Sequence, residues 1–229
     1  MKPDLKIKNS DFKYFEINPE KYSREYVMLL AQDYHKNPNK EIPKADYKML
    51  DNGAAEGEQL SNKDLIEVIK LVKPDEIIYP DIMGDKDATI KSSTEFYNEL
   101  PDDLKNSLSK LGVIHGKTFK EFQECAEYYM ESGKIKVDVI GVPKYSVYSL
   151  KNMFVRVKLA KWLNEKYPNV KIHFLGMNEP FYIIKQAIEK GMIIRSIDSI
   201  VPYQWEKENS SIPFDYYLRD PDISYNELK

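Results

Sequence analysis

The chain has 229 residues, 42% hydrophobic and 31% charged, a balance that fits a folded protein with a sizeable core and excludes a low-complexity or disordered chain. A formal net charge of −3 supplies no overall basic field for nucleic acid, so any such contact must come from a local patch. One cysteine and three histidines exclude an internal disulfide and a thiol-built zinc site, which fits a reducing, cytoplasmic setting, or the host cytoplasm for a viral protein.

In chain order, the opening MKPDLKIKNSDFKYF lacks the apolar stretch of a signal peptide. No run approaches the roughly 20 apolar residues that span a bilayer, so no membrane contact is expected. FKYFEI (12–17) is a weak strand candidate, YVMLLA (26–31) a stronger one, and HKNPNKEIPKAD (35–46) reads as an exposed loop. YKMLD (47–51) is a strand followed by the small-residue run NGAAEGEQ. SNKDLIEVIKLVK is a helix: Ser61 and Asp64 resemble a capping box, and Leu65, Val68, Ile69 and Val72 fall at helical spacing. EIIYPD (76–81) is a strand, and Asp85 reads as the N-cap of the helix KDATIKSSTEFY. LGVIHG (111–116) is a strand, and TFKEFQECAEYYMESG is a helix with a Thr118–Glu121 capping box and Gly133 as its stop. VDVIGV (137–142) precedes SLKNMFVRVKLAKWLNEKYP, read as one long helix. KIHFLGM (171–177) precedes a helix starting at Asn178 with Pro180 in its first turn and Gly191 at its end. IIRSID (193–198) is the last strand, ended by Pro202.

Strands alternating with crossover helices imply a parallel sheet. Seven or eight such units in this length point to a single domain over 1–229, a compact TIM-type (β/α) barrel, trimmed or incomplete, with no zinc subdomain. A doubly wound open sheet is the other candidate, and no glycine-rich fingerprint follows the first strand to support its dinucleotide-binding form.

Strand after strand ends in a polar residue or a glycine: Asp51, Asp81, His115 with Gly116, Gly141, Gly176 and Asp198. In a parallel barrel these ends share the face on which barrel enzymes build their sites. Converging carboxylates shift one another's protonation, which suits a nucleophile and an acid/base partner. Each residue also has a plainer reading. A strand-end Asp is often a helix cap. His115 alone reads first as a structural histidine, mid-strand His173 as core packing, and Cys125, inside a helix, as a small buried residue. Lys144, Tyr145, Tyr148 and Lys151, with Arg156, Lys158 and Lys161 beyond, interleave basic and aromatic groups as a phosphate track with base-stacking rings would; they read equally as a solvated helix face.

From about residue 46 to 205 the motifs, in order, resemble the tRNA-guanine transglycosylase superfamily, in particular its short phage-type and DNA-acting deazaguanine transglycosylases. MLDNGAAEG resembles the family's strand ending in Asp, and DEIIYPDIMGD the segment whose aspartate reads the base. GVIHG stands where the family has Val-Gln-Gly, and VIGVP where it has Ile-Gly-Gly. HFLGMNEP resembles Leu-Met-Gly-x-Gly-x-Pro, and IDSIVP resembles Phe-Asp-x-x-x-Pro, which carries the nucleophile. The resemblance implies Asp198 as nucleophile at C1′ of the (deoxy)ribose and Asp51 as general acid/base. It implies Asp81 on the guanine-like edge, the Gly141 N–H on O6, and His115 with Gly116 beside the base. It implies no cofactor, with a 7-deazaguanine base and a nucleic acid as substrates.

Two departures bear on the substrate. The family's tRNA enzymes place a Cys/His zinc site after the nucleophile, and no Cys follows Asp198 here, which favours DNA over tRNA. Where the family commonly has an acid three positions before the nucleophile, this chain has Arg195, expected to pair with Asp198 or to grip a phosphate. Two other classes stay open: a lyase or aldolase on the same barrel, which a strand-end Schiff-base lysine would support and which no strand candidate supplies, and a non-catalytic nucleic-acid or partner-binding subunit. A homodimer and a tRNA-type activity also stay open.

Overall fold

In the computed structural model, which describes residues 12–17, 24–57, 59–152, 154–177 and 181–199, the expected alternation closes on itself. The strands are β1 (Lys13–Ile17), β2 (Arg24–Leu30), β3 (Ala45–Asp51), β4 (Glu76–Ile78), β5 (Ser109–Val113), β6 (Val139–Pro143), β7 (Lys171–Leu175) and β8 (Ser196–Ser199). Each pairs in parallel with the next, and β8 returns to β1 through Phe15↔Asp198, so the described strands form a closed eight-stranded barrel. The fold is a TIM-type α/β barrel whose eight described strands close rather than forming an open sheet, and FKYFEI is the strand that closes it.

Helices α1 (Ala31–Lys36), α2 (Asn62–Val72), α3 (Lys86–Glu99), α4 (Asp102–Ser107), α5 (Phe119–Glu131), α6 (Tyr145–Leu150), α7 (Val155–Lys166) and α8 (Phe181–Glu189) lie between the strands. The caps read from sequence are present. The Ser61 and Asp85 side chains accept from the N–H groups of Asp64 and Ala88, and Thr118 and Glu121 form a reciprocal capping box. Loss of such a cap costs about 1 kcal/mol.

Several elements differ from expectation: β4 stops at Ile78, β8 spans Ser196–Ser199 rather than 193–198, and α4 is unexpected. Residues 35 and 36 belong to α1, so the loop ahead of β3 is shorter than 35–46. The long helix over 149–168 is two helices. Lys151 takes a left-handed conformation (φ 46), and the Asn152 carboxamide oxygen accepts the Phe154 N–H, restarting the chain as α7. The start of α8 at Asn178–Pro180 and the stop at Pro202 lie outside the described residues.

Two apolar layers hold the barrel. The outer one packs Val27, Leu50, Ile77, Ile140 and Ile172 against helix residues such as Val68, Phe96 and Phe122. The inner one comprises Phe15, Met28, Met49, Ile78, Leu111, Val113 and Val139, each buried side chain contributing about 1.5–3 kcal/mol. Strand stagger sets the depth of each inward residue. The row Ile17↔Met28↔Met49↔Glu76↔Ser109 descends from the mouth to the base. Among the described residues no helix is long and apolar enough to cross a membrane.

Candidate active site at the barrel mouth

Parallel strands bring all their C-terminal ends to one rim. There a cavity of about 290 Å³ is lined by Asp51, Asp81, His115 and Asp198, with Lys144, Tyr145 and Tyr148 at its edge. Its inner wall is apolar, with Met28, Ile78, Val113 and Leu175 among its residues.

Asp198 is the third residue of β8 and is 1% exposed. Its Oδ2 accepts the Gly176 N–H at 2.9 Å, and its Oδ1 lies 2.8 Å from His173 Nε2. Gly176 sits at φ 62, a conformation glycine adopts without penalty, and turns the chain just after β7. Its neighbour Met177 donates its N–H to the Asp198 carbonyl. His173, expected as core packing, is fully buried and bonded on both ring nitrogens, Nδ1 lying 2.8 Å from Ser196 Oγ.

Asp81 lies just beyond β4 and is 6% exposed. Its Oδ1 accepts from Asn52 Nδ2 at 2.8 Å and its Oδ2 from His115 Nε2 at 2.7 Å. A backbone N–H can only donate, and Gly84 N lies 3.2 Å from His115 Nδ1, so the ring proton is on Nε2 and points at Asp81. The Asn52 amide also donates to the Tyr79 carbonyl, and its oxygen accepts the Ala54 N–H, so this carboxamide has one orientation. Gln59 Nε2 donates to the Asp81 carbonyl. His115 is thus committed to Asp81, and any contact it makes with a base is through its ring face.

Asp51 ends β3, half-buried, and its Oδ1 accepts the Gly53 N–H at 3.1 Å. On the rim, the Tyr145 ring stands 6.0 Å from that of His115, and Lys144 Nζ lies 5.6 Å from the centre of the Tyr148 ring. Tyr148 is 63% exposed and Met83 48%, so the lip presents exposed apolar surface. No described strand ends in lysine, but Lys144 follows the last residue of β6 and stands on the cavity edge.

Four sequence-predicted residues stand elsewhere. Arg195 does not reach Asp198 and is not among the cavity residues. It precedes β8, and its guanidinium meets Glu76 at the base of the barrel, Nη1 to Oε2 at 2.6 Å and Nη2 to Oε1 at 2.9 Å. Arg156 is 1% exposed, donates to the Leu175 carbonyl and lies 5.2 Å from the centre of the Phe174 ring, so it does not line a phosphate track. Gly141 lies below the cavity; a Cβ there would stand 2.6 Å from Leu111 and 2.7 Å from Leu175, so its glycine serves close packing. Gly116 is likewise a packing glycine, where a Cβ would meet the Glu121 side chain at 2.5 Å.

Glu76 went unread in the sequence. It is fully buried and also accepts from the Tyr47 and Ser109 hydroxyls. Burial pushes its carboxyl up, but the Arg195 hydrogen bonds and charge outweigh that and hold it below the ordinary range. Burial and the Glu76 charge push the Tyr47 hydroxyl up, keeping it a donor. Cys125 is buried inside α5, its thiol pushed up to about 12 by burial, which leaves little reactive thiolate. Among the described residues no three His, Cys, Asp or Glu side chains are grouped to hold a metal ion. Compared with family models and with curated proteins, the chain matches none.

Proposed function

We propose that the chain is a base-exchange transglycosylase that replaces guanine in nucleic acid with a 7-deazaguanine. The observation that carries this reading is that Asp51, Asp81 and Asp198, from three strand ends, line one small cavity with an apolar wall. At about 290 Å³ the cavity lies at the lower edge of the roughly 300–1,000 Å³ of small-molecule sites, so one extruded nucleoside enters while the polymer stays outside. Tyr145, Tyr148 and Lys144 at the edge suit a stacked base and a phosphate.

In the first step an Asp198 oxygen attacks C1′ as the C1′–N9 bond breaks. The bonding pair leaves with the base, which takes a proton from Asp51. In the second, the incoming base gives its N9 proton to Asp51 and attacks C1′, and the ester pair returns to Asp198. Two inversions retain the anomeric configuration. Asp81, held on both oxygens by Asn52 and His115, has lone pairs left to accept N1–H and the 2-amino group of a guanine-like base. DNA is the favoured polymer because the chain's one cysteine, Cys125, is buried in α5 and cannot serve the zinc site of the tRNA-type enzymes.

The test is exchange of radiolabelled guanine into DNA and tRNA side by side, with mass spectrometry for a denaturation-resistant protein–sugar adduct. Adduct on wild-type protein that disappears in Asp198→Asn supports the reading. No exchange and no adduct with either polymer overturns it.

Lys144 favours a second reading, a Schiff-base lyase, because it directly follows β6 on the cavity edge. Borohydride reduction with small carbonyl compounds separates the two: a reduced adduct on Lys144 would establish the lyase, and no adduct would remove it.

A further inference from the structure

We infer that His173 is a positioning residue for Asp198, held as its Nε2–H donor by a chain of side chains that begins at Glu76 and passes through Arg195 and Ser196. The inference rests on the base-exchange reading, in which Asp198 is the nucleophile.

Each link has one consistent polarity. Glu76 takes two N–H bonds from the Arg195 guanidinium, which fixes that group at the barrel base. Arginine only donates, so its Nε–H goes to Ser196 Oγ at 2.9 Å. The Ser196 hydroxyl proton is then directed to His173 Nδ1 at 2.8 Å. With Nδ1 accepting, the ring proton is on Nε2, where it meets Asp198 Oδ1 at 2.8 Å. Phe15 packs its ring edge-on at 5.6 Å from His173 and lies 5.7 Å from the Arg195 guanidinium, filling the space beside the chain.

The chain ends at the cavity, and only its Arg195 link is part-exposed, with 15% of the side chain open. Glu76, Ser196 and His173 are fully buried, and Asp198 is 1% exposed. Barrel interiors are normally filled by branched apolar side chains, and a polar column in their place carries a desolvation cost. This column ends on the carboxylate that lines the cavity. With Gly176 holding Oδ2 from the backbone and His173 holding Oδ1, the carboxylate plane is fixed and each oxygen keeps a lone pair for attack.

The test compares two amides. In His173→Gln the side-chain Nε2 stands near the imidazole Nε2 and still reaches Asp198. In His173→Asn the shorter amide reproduces the Ser196 side alone. Single-turnover adduct formation on guanine-containing DNA is measured together with KM for free guanine in exchange, and ¹⁵N NMR reads the His173 tautomer in wild type and in Asp198→Asn. The expected result is an about 10–100-fold slower adduct step in His173→Asn, as for other orienting partners of site residues. The KM stays within about twofold, and His173→Gln recovers most of the rate. The NMR signature is Nε2–H in wild type and is perturbed in Asp198→Asn. Equal adduct rates in wild type and His173→Asn overturn the inference, as does an Nδ1–H tautomer. A wild type with no adduct on either polymer but an Nε2–H ring coupled to Asp198 overturns the base-exchange reading and leaves the hydrogen-bonded chain standing.

Discussion

Two aspartates that line the same cavity are each paired with a histidine, and the two pairs are anchored in different ways. In the Asp81–His115 pair the outer ring nitrogen takes a backbone N–H from Gly84, and the other carboxylate oxygen takes the Asn52 amide, so every support comes from loops at the mouth. In the Asp198–His173 pair the outer nitrogen takes a serine hydroxyl, and the support runs inward to an arginine–glutamate pair at the far end of the barrel. A loop-anchored carboxylate can be retuned by changes at the mouth. A carboxylate anchored through the core cannot be moved without repacking the interior. The difference suits a recognition group on one side and a reacting group on the other.

The largest effect should come from the core-anchored side. Asp198→Asn keeps the shape and removes the negative charge of the proposed nucleophile, so adduct formation and exchange should fall by about 10⁴-fold or more, measured in single turnover. A fall of less than tenfold would make Asp198 an ordinary polar residue and erase the contrast.

The second effect concerns stability. Arg195→Met leaves Glu76 buried without its cation and should cost about 3–5 kcal/mol, read from urea unfolding. Because the folded Glu76 carboxyl is held below its ordinary value of 4.5, its contribution is complete above that pH and fades as pH falls through the lower folded value. Arg195→Met should therefore flatten the acid limb of the stability profile. Replacing both Glu76 and Arg195 by Met should regain much of the loss, since apolar filling of a buried ion pair is often near neutral. A double variant that is stable but slow to form the adduct would show that the pair serves the site rather than the fold.

On the loop-anchored side the expected changes are smaller. Asp81→Ala should raise KM for the incoming base by about 10–100-fold with less change in kcat, the mark of a lost binding contact. An equal fall in kcat and kcat/KM would move Asp81 from recognition to chemistry. Smallest of all, Tyr148→Ala at the exposed rim should weaken nucleic-acid binding by about 1 kcal/mol, roughly fivefold, if a base stacks there, seen in equilibrium titration at fixed salt. No change would confine substrate contacts to the cavity.

The same inside–outside contrast governs what could be read from sequence. The strand ends were legible because apolar β-branched runs stop at polar residues there, and a parallel barrel gathers those stops; Asp51, Asp81, His115 and Asp198 meet for that reason. The interior was not. Strands covered on both faces read as continuous apolar runs, which hide the facing of a mid-strand His173. Glu76, the first residue of EIIYPD, is fully buried, and nothing in that strand's apolar run signals it. The available signal was a pair of opposite charges, Glu76 and Arg195, at or just before the starts of two strands, which a barrel brings to the same end. Arg156 failed for a related reason: in a helix that packs on a sheet, a basic residue can turn inward when a carbonyl such as that of Leu175 awaits it.

The break at Lys151 bears on how such a protein can change over evolutionary time. A left-handed lysine is held at a cost of roughly 1–2 kcal/mol, yet it separates the short α6, which carries the rim tyrosines, from α7, which is bolted to the barrel wall. Substitutions at Tyr148, the exposed residue of α6, can be sampled without reaching Leu159, Ala160 or Leu163, which are buried in α7. Natural variation among barrels of this build should therefore concentrate on the exposed side of α6, while α7 drifts slowly, constrained as a buttress.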